Sequence, residues 1–549
     1  MRQVRIFQLC LAATIFAGIF VFQGCGNQEE KESATAGKNN LSTASIHRGG
    51  TYRFPLMNSP STLDPAYVRD KYGETLVHQL YDGLVRFDPY LAVTPALAET
   101  WKVEDNGKTY RFIIRENARF HNGQPVTAED VVFSISRLLR LDPPPATLPH
   151  LLKINGAQEF RNHKAERIVG LDAVEKRVLL VQLKEPHAPF LTALGMYQAS
   201  IVPKEEVTRL GDQFGQSPIG NGPFRFASWN MNQSIQLERF QQYYAGESLL
   251  DEVHYIIYPG GEKTKVLNDF QKGDLEEMPV YGKIRQDLAA EKGLQWFHRP
   301  SLSLLFYGIR GNHPLLSNPK VRKALSMAID RKRLVQEVYN GRFEPARTIL
   351  PPGMPGYRQN QAAVIEDLTK ARELIKGAIG NNIQPIEIVS ASQSAFAKAE
   401  LNLIHEFWDK LGIPLKIKYI TDWKAFSAYR KSESVQIYRA AWFADMPDPD
   451  SFLHPLFASD SPVNYMRYQN EEVDRMLQTA RGIIEPIKRA EMYQQIEQII
   501  LASSPVIPLF YLSVDRVYQP SVQDIQVSAL GAHTMPLYRV WLKEGSTQP

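Results

Sequence analysis

The chain reads as a mixed α/β protein, and three local patterns predict it. Asn106-Gly107 sits between Trp101-Lys-Val and Tyr110-Arg-Phe-Ile-Ile-Arg, a turn pair flanked by strand-like segments and so a β-hairpin. Thr127 with Asp130 three residues on is a shorter version of a capping box, and the helix it opens places Val131, Ile135, Leu138 and Leu139 on one face. Residues 385–390 read as a strand, 398–411 as a helix with Leu401, Ile404, Trp408 and Leu411 inward, and 415–420 as a second strand. Strand, helix and strand at that spacing make a βαβ unit, which requires a parallel sheet covered by helices. A further helix opens at Asn318-Pro319, with proline at its first position and Val321, Ala324, Leu325, Ala328 and Ile329 as its buried stripe.

The N-terminus supplies an address. Arg2 and Arg5 precede the uncharged, mostly apolar stretch 6–22, and the small residue Gly24 stands before Cys25; these are the parts of a secretory signal. The apolar stretch is at the lower limit for spanning about 30 Å of hydrocarbon, so an uncleaved anchor is the alternative. Gly24-Cys25-Gly26 followed by a polar run looks like a bacterial lipoprotein signal, in which Cys25 is the lipidated first residue of the mature chain. The departure from that pattern is at Phe22 and Gln23. Either reading puts the globular part outside the cytoplasm, held at the cell membrane. Residues 25–48 are polar and aperiodic, a tether.

Composition narrows the function. Cys10 and Cys25 are the only cysteines, so cleavage before Cys25 leaves a mature chain without a disulfide, although its compartment permits one. The 549 residues carry 63 basic and 59 acidic side chains, and loss of Arg2 and Arg5 brings the net charge to about +2, no footprint for nucleic acid. Gly107-Lys108-Thr109 lacks the upstream glycine of a phosphate loop and is a turn. No Gly-x-Ser-x-Gly is present, the nearest approach to His-Glu-x-x-His is His405-Glu-Phe-Trp-Asp409, and the histidines are scattered, so no catalytic residue, metal site or cofactor is assigned. Asp445, Asp448 and Asp450 have prolines between them that fit no calcium loop.

Seven segments carry a family resemblance: Ser61-Thr-Leu-Asp-Pro65, Leu80-Tyr-Asp-Gly-Leu84, the run from Phe120-His-Asn-Gly-Gln-Pro to Leu138, Gly220-Asn-Gly-Pro-Phe224, Leu237-Glu-Arg-Phe-Gln-Gln-Tyr-Tyr244, Asn318-Pro-Lys-Val-Arg-Lys-Ala-Leu325 with Ala328-Ile-Asp-Arg331, and Trp442-Phe-Ala-Asp-Met-Pro-Asp-Pro-Asp450. In this order they resemble the extracytoplasmic solute-binding proteins of the peptide and nickel ABC transporter family (family 5). The resemblance implies a two-lobed periplasmic-binding-protein fold, type II and class C like, with an extra subdomain in the first lobe. By analogy, residues 49–300 form lobe I with the subdomain at about 84–215. Residues 301–512 form lobe II and 513–549 return to lobe I, with crossings near 299–305 and 510–518.

The resemblance also implies a monomeric receptor that closes on a short peptide and delivers it to ABC permease and ATPase subunits. It assigns Asp445 to the ligand's ammonium, Arg439 to its carboxylate and Trp442 to a side-chain pocket. Ala441, Tyr307 and Asn221 join these as ligand-binding candidates by family position. A charge pair in a closed, poorly solvated cleft is far stronger than one on the surface. Within the run that starts at Phe120, His121, Asn122 and Gly123 read instead as a structural turn. The alternatives are the same fold holding a nickel chelate, haem, an oligosaccharide or an opine, and an exported lipoprotein hydrolase.

Overall fold

The computed structural model describes residues 46–359, 366–376, 378 and 385–543. The signal, Cys25 and most of the tether lie outside the described residues. Two principal sheets, one in each lobe, carry the architecture. The first runs Thr51–Leu56, Glu252–Ile257, Ser234–Arg239 and Phe224–Asn230, parallel between its first two strands and antiparallel elsewhere. Between the first strand and Phe224 the chain builds a separate antiparallel sheet from Ala98–Glu104, Thr109–Ile114, Val178–Gln182 and Leu171–Glu175. This inserted sheet has its own core, including Phe112, Val131, Ile135, Leu179 and Val181.

The second lobe is organised by six strands in the order Glu344–Pro345, Val506–Tyr511, Ser303–Ile309, Ile437–Phe443, Ile386–Ser390 and Leu415–Tyr419. Every residue of Ser303–Ile309 is buried. Leu305, Tyr307 and Ile309 pack on one face of the sheet, and Leu304 and Phe306 on the other. A strand covered on both faces has no polar alternation to betray it.

Beside the first sheet, Glu277–Pro279, Ser513–Tyr518 and Gln295–Pro300 form a three-stranded sheet whose Tyr518, Phe297 and Val514 pack into the same core. The chain therefore leaves the three-stranded sheet for the six-stranded one at Ser301-Leu302 and returns to it after Leu512. Those passages are bonded to each other: the Ser301 N–H donates to Leu512 O at 2.8 Å, and the Leu512 N–H donates to Ser303 Oγ at 3.1 Å.

The local predictions hold, with two shifts. Ile386–Ser390 and Leu415–Tyr419 pair in parallel across the helix Ala395–Asp409. That helix starts before residue 398 because Ser394 caps it, accepting from the Ala397 N–H. Ala98–Glu104 and Thr109–Ile114 pair antiparallel, but the connection is a longer loop in which Asp105, Asn106 and Gly107 all take positive φ. Thr127 and Asp130 make the reciprocal capping box, and Asn318 caps the helix Pro319–Met327.

His121 explains structurally the start of the run from Phe120 to Leu138. Its Nδ1 accepts from the Gly220 N–H at 3.1 Å and its Nε2 lies 3.2 Å from Gly222 O, which fixes the neutral tautomer with the proton on Nε2. The two glycines are required by close approach: a Cβ at Gly220 would stand 1.9 Å from Leu80 O, and one at Gly222 2.5 Å from Gln79 O.

Burial pushes the His121 ring down to about 3. The folded state resists a proton that the unfolded chain takes near the ordinary value of 6.5. Stability is thus full above that value and falls as pH drops toward 3, by on the order of 5 kcal/mol at about 1.4 kcal/mol per pKa unit. Urea unfolding at stepped pH should show this slope in the native chain and a flatter one in His121→Gln; parallel profiles would contradict the assignment.

Candidate functional site

A cavity of about 990 Å³ opens between the lobes. The helix Lys71–Leu80 of the first lobe, the residues after Ile437–Phe443 of the second, both passages between lobes and the C-terminal return all contribute to its wall. Lys71 reaches over the Phe443 ring at 5.1 Å, joining the two sides.

Asp445 projects into this cavity and is exposed to its solvent. It makes no hydrogen bond or ion pair with a described residue. Burial of its surroundings and the nearby Glu74 both push its pKa up, so a cation placed beside it would be strongly favoured. Glu74 itself is paired, with His533 Nε2 at 3.4 Å and His78 Nε2 at 3.8 Å. Burial opposes its charge, but the two histidines prevail and hold it well below the usual carboxylate range.

The loop carrying Asp445 is fixed from behind. Asp448 accepts from both Nη groups of Arg489 at 2.8 and 2.7 Å. Asp450 accepts from Arg481 Nε and Nη2 at 2.8 and 2.9 Å. Both carboxylates are buried, and bidentate pairs of this kind set geometry as well as charge. The acidic run after Trp442 thus divides its labour: Asp445 faces the cavity, while Asp448 and Asp450 anchor the loop.

The other sequence-predicted site residues do not join Asp445 at the cavity wall. Arg439 is committed to the buried Glu400, which accepts from its Nε and Nη2 at 2.9 Å each. The same carboxylate accepts from Tyr307 Oη at 2.7 Å and Tyr339 Oη at 2.5 Å. Tyr307 is therefore a core residue and Arg439 a structural cation, because an unpaired Glu400 there would be costly. Trp442 alternates to the opposite face of the strand, packs against the core and donates its indole N–H to Ser451 O at 2.8 Å. Ala441 is exposed opposite Leu305 but does not line the cavity. Asn221 is buried, accepting from the Asp82 N–H at 2.6 Å and donating to Ile201 O at 2.8 Å; it is a clamp for the turn.

Residues that the sequence did not single out complete the wall. Glu74, His78 and His533 surround one corner, and Asp82, Arg86, Tyr243, Tyr538 and Arg539 another. Leu80-Tyr-Asp-Gly-Leu84 and the tyrosines ending at Tyr244 carried the family resemblance, yet nothing local showed that Tyr243 and Tyr244 donate to Asp82 at 2.8 and 2.9 Å.

A fold whose two lobes enclose a cavity with an unpaired carboxylate defines a solute-binding protein, and sequence comparison shows the family. Residues 92–463 match the model of the bacterial extracellular solute-binding proteins, family 5, so the chain belongs to that family. It is similar to the probable deoxycholate-binding periplasmic protein YgiS of Escherichia coli K12, 30% identical over 86% of this chain and 90% of that one. It is also similar to the dipeptide-binding protein of Escherichia coli K12, 27% identical over 83% of this chain and 88% of that one. The unliganded open form of the murein tripeptide binding protein MppA superposes with a TM-score of 0.79, at 23% identity over 90% of this chain and 98% of that one. Two peptide complexes of the same fold superpose at 0.71 and 0.69.

Replacing Arg439 by Met should lower the unfolding free energy by about 3–5 kcal/mol, since Glu400 is left buried without its cation. Ligand affinity of the folded protein should stay within about threefold of the native chain, as calorimetric titration would check. A variant of native stability with ligand binding lost would instead place Arg439 on the ligand.

Proposed function

We propose that this protein is a lipid-anchored extracytoplasmic receptor that captures short peptides between its lobes and delivers them to an ABC importer. The observation that carries this reading is Asp445: a carboxylate without a partner in a cavity whose other acids are paired or cap turns. An ammonium group meets that need, and a peptide supplies one at its N-terminus. A cavity of about 990 Å³ is of the size that takes a short peptide or a comparable small molecule. The family and its dipeptide-binding relative support the same class of cargo.

In the open arrangement, contacts to one lobe hold the ligand weakly. Contacts made by both lobes favour the closed form, and the ligand shifts the population by its differential affinity for the two. The side chains of a peptide face a mixed wall of aromatic and aliphatic residues such as Tyr72, Phe87, Tyr197 and Phe443, which suits loose sequence selectivity.

A second reading is an anionic amphipath of the kind named for YgiS. The unpaired cation Arg539 in the same cavity favours it.

Isothermal titration with defined tri- and tetrapeptides tests the first reading. Asp445→Asn should weaken binding about thirtyfold or more, since removing one partner of a desolvated charge pair costs about 2–5 kcal/mol. Equal affinity of the native chain and the variant, or no affinity for any peptide, would refute peptide capture. For the anchor, Cys25→Ser should move the protein from the membrane fraction to the soluble extracytoplasmic one; an unchanged distribution would refute lipidation.

A further inference from the structure

One corner of the cavity holds more positive than negative charge. Two guanidinium groups converge on a single phenol oxygen: Arg539 Nε donates to Tyr538 Oη at 3.0 Å, and Arg86 Nη2 donates to the same atom at 3.4 Å. Arg86 also donates through Nη1 to Tyr243 Oη at 3.0 Å. The carboxylate of this cluster, Asp82, accepts from the Tyr243 and Tyr244 hydroxyls. It is also the charge that holds Arg86 above the ordinary arginine value against the opposing effect of burial. Two cations therefore share one anion.

Arg539 is the one left over. Its side chain is exposed to the cavity, it has no ion-pair partner among the described residues, and its two Nη groups donate to none of them. The bond from Nε and the Tyr538 ring, 5.4 Å from the guanidinium carbon, fix the plane of the group while leaving its outer edge open. That edge is the fork that matches a carboxylate in bidentate fashion.

The competing cations are otherwise engaged. Arg69 donates to Ala66 O and Val68 O at 2.8 Å each, Lys71 lies over Phe443, and Arg342 pairs with Asp515 at 2.5 Å. Among the described residues of the cavity wall, the second lobe thus offers one unpaired anion, Asp445, and the C-terminal return to the first lobe one unpaired guanidinium.

We infer that Arg539 is the carboxylate-binding residue of the cavity, with Arg86 and Tyr538 positioning it, so that ligands with a free carboxylate are selected over their neutral analogues. This rests on the proposed function for its choice of a peptide as ligand. It moves the carboxylate role from Arg439, which the fold has committed to Glu400, to a residue from the last stretch of the chain.

The test is calorimetric titration of the native protein, Arg539→Ala and Arg539→Lys with one tetrapeptide as its free acid and as its C-terminal amide. The native chain should prefer the acid about tenfold or more. Arg539→Ala should lose that preference and about tenfold in affinity for the acid, and Arg539→Lys should recover part of it. Circular dichroism melting confirms that the variants fold, as replacement of an exposed side chain should allow. Equal native affinity for acid and amide, or a preference that survives Arg539→Ala, would overturn the inference while leaving peptide capture standing. If the native chain binds no peptide, the proposed function fails and deoxycholate decides: binding lost in Arg539→Ala keeps the carboxylate site, and binding that is unaffected or absent overturns it.

Discussion

The chain passes between its lobes twice, at Ser301-Leu302 and at Leu512, and the hydrogen bonds joining those passages set everything else in place. Two strands side by side form a narrow connection that can bend without breaking either core. Asp515 reinforces it on the sheet beside the hinge, accepting from Arg342 of the second lobe and from His298 and Ser513. Arg342 also donates to Val280 O at 2.9 Å, on the far side of the connection. The cavity lies directly above this connection, so any rotation there changes the separation of its two walls.

Charge distribution turns that geometry into a receptor. Buried carboxylates are costly unless paired, and here the buried Glu400, Asp448 and Asp450 and the half-buried Asp82 each receive a set of directed donors. Against this background the two unpaired groups, Asp445 and Arg539, stand out. They belong to segments nearly a hundred positions apart in sequence and reach the cavity from different lobes, so a ligand that joins them also joins the lobes.

How much of this the sequence disclosed follows from how local each signal is. Capping at Thr127 and Asn318 and the strand–helix–strand unit ending at Tyr419 depend on neighbours within a few turns, and they were legible. The motif around Asp445 likewise marked a segment that reaches the cavity wall. Arg439, Tyr307 and Trp442 stand away from the cavity wall for a reason no local pattern carries, because their partners are remote. Glu400 lies on a helix 39 positions before Arg439, and only the pleat of the strand decides that Trp442 faces the core. The Arg539 corner was the least legible of all, since Arg86 and Tyr538 are 452 positions apart and no local pattern marks either as a wall of the same cavity. Residues serving a site between lobes are assembled by topology, and a single sequence carries topology only through the family it resembles.

Closure of the lobes on a ligand is measured directly by small-angle X-ray scattering. On addition of a saturating peptide pool the radius of gyration of the native chain should fall, and it should not fall in Asp445→Asn. A radius unchanged by any peptide, or an equal fall in the variant, would contradict the account.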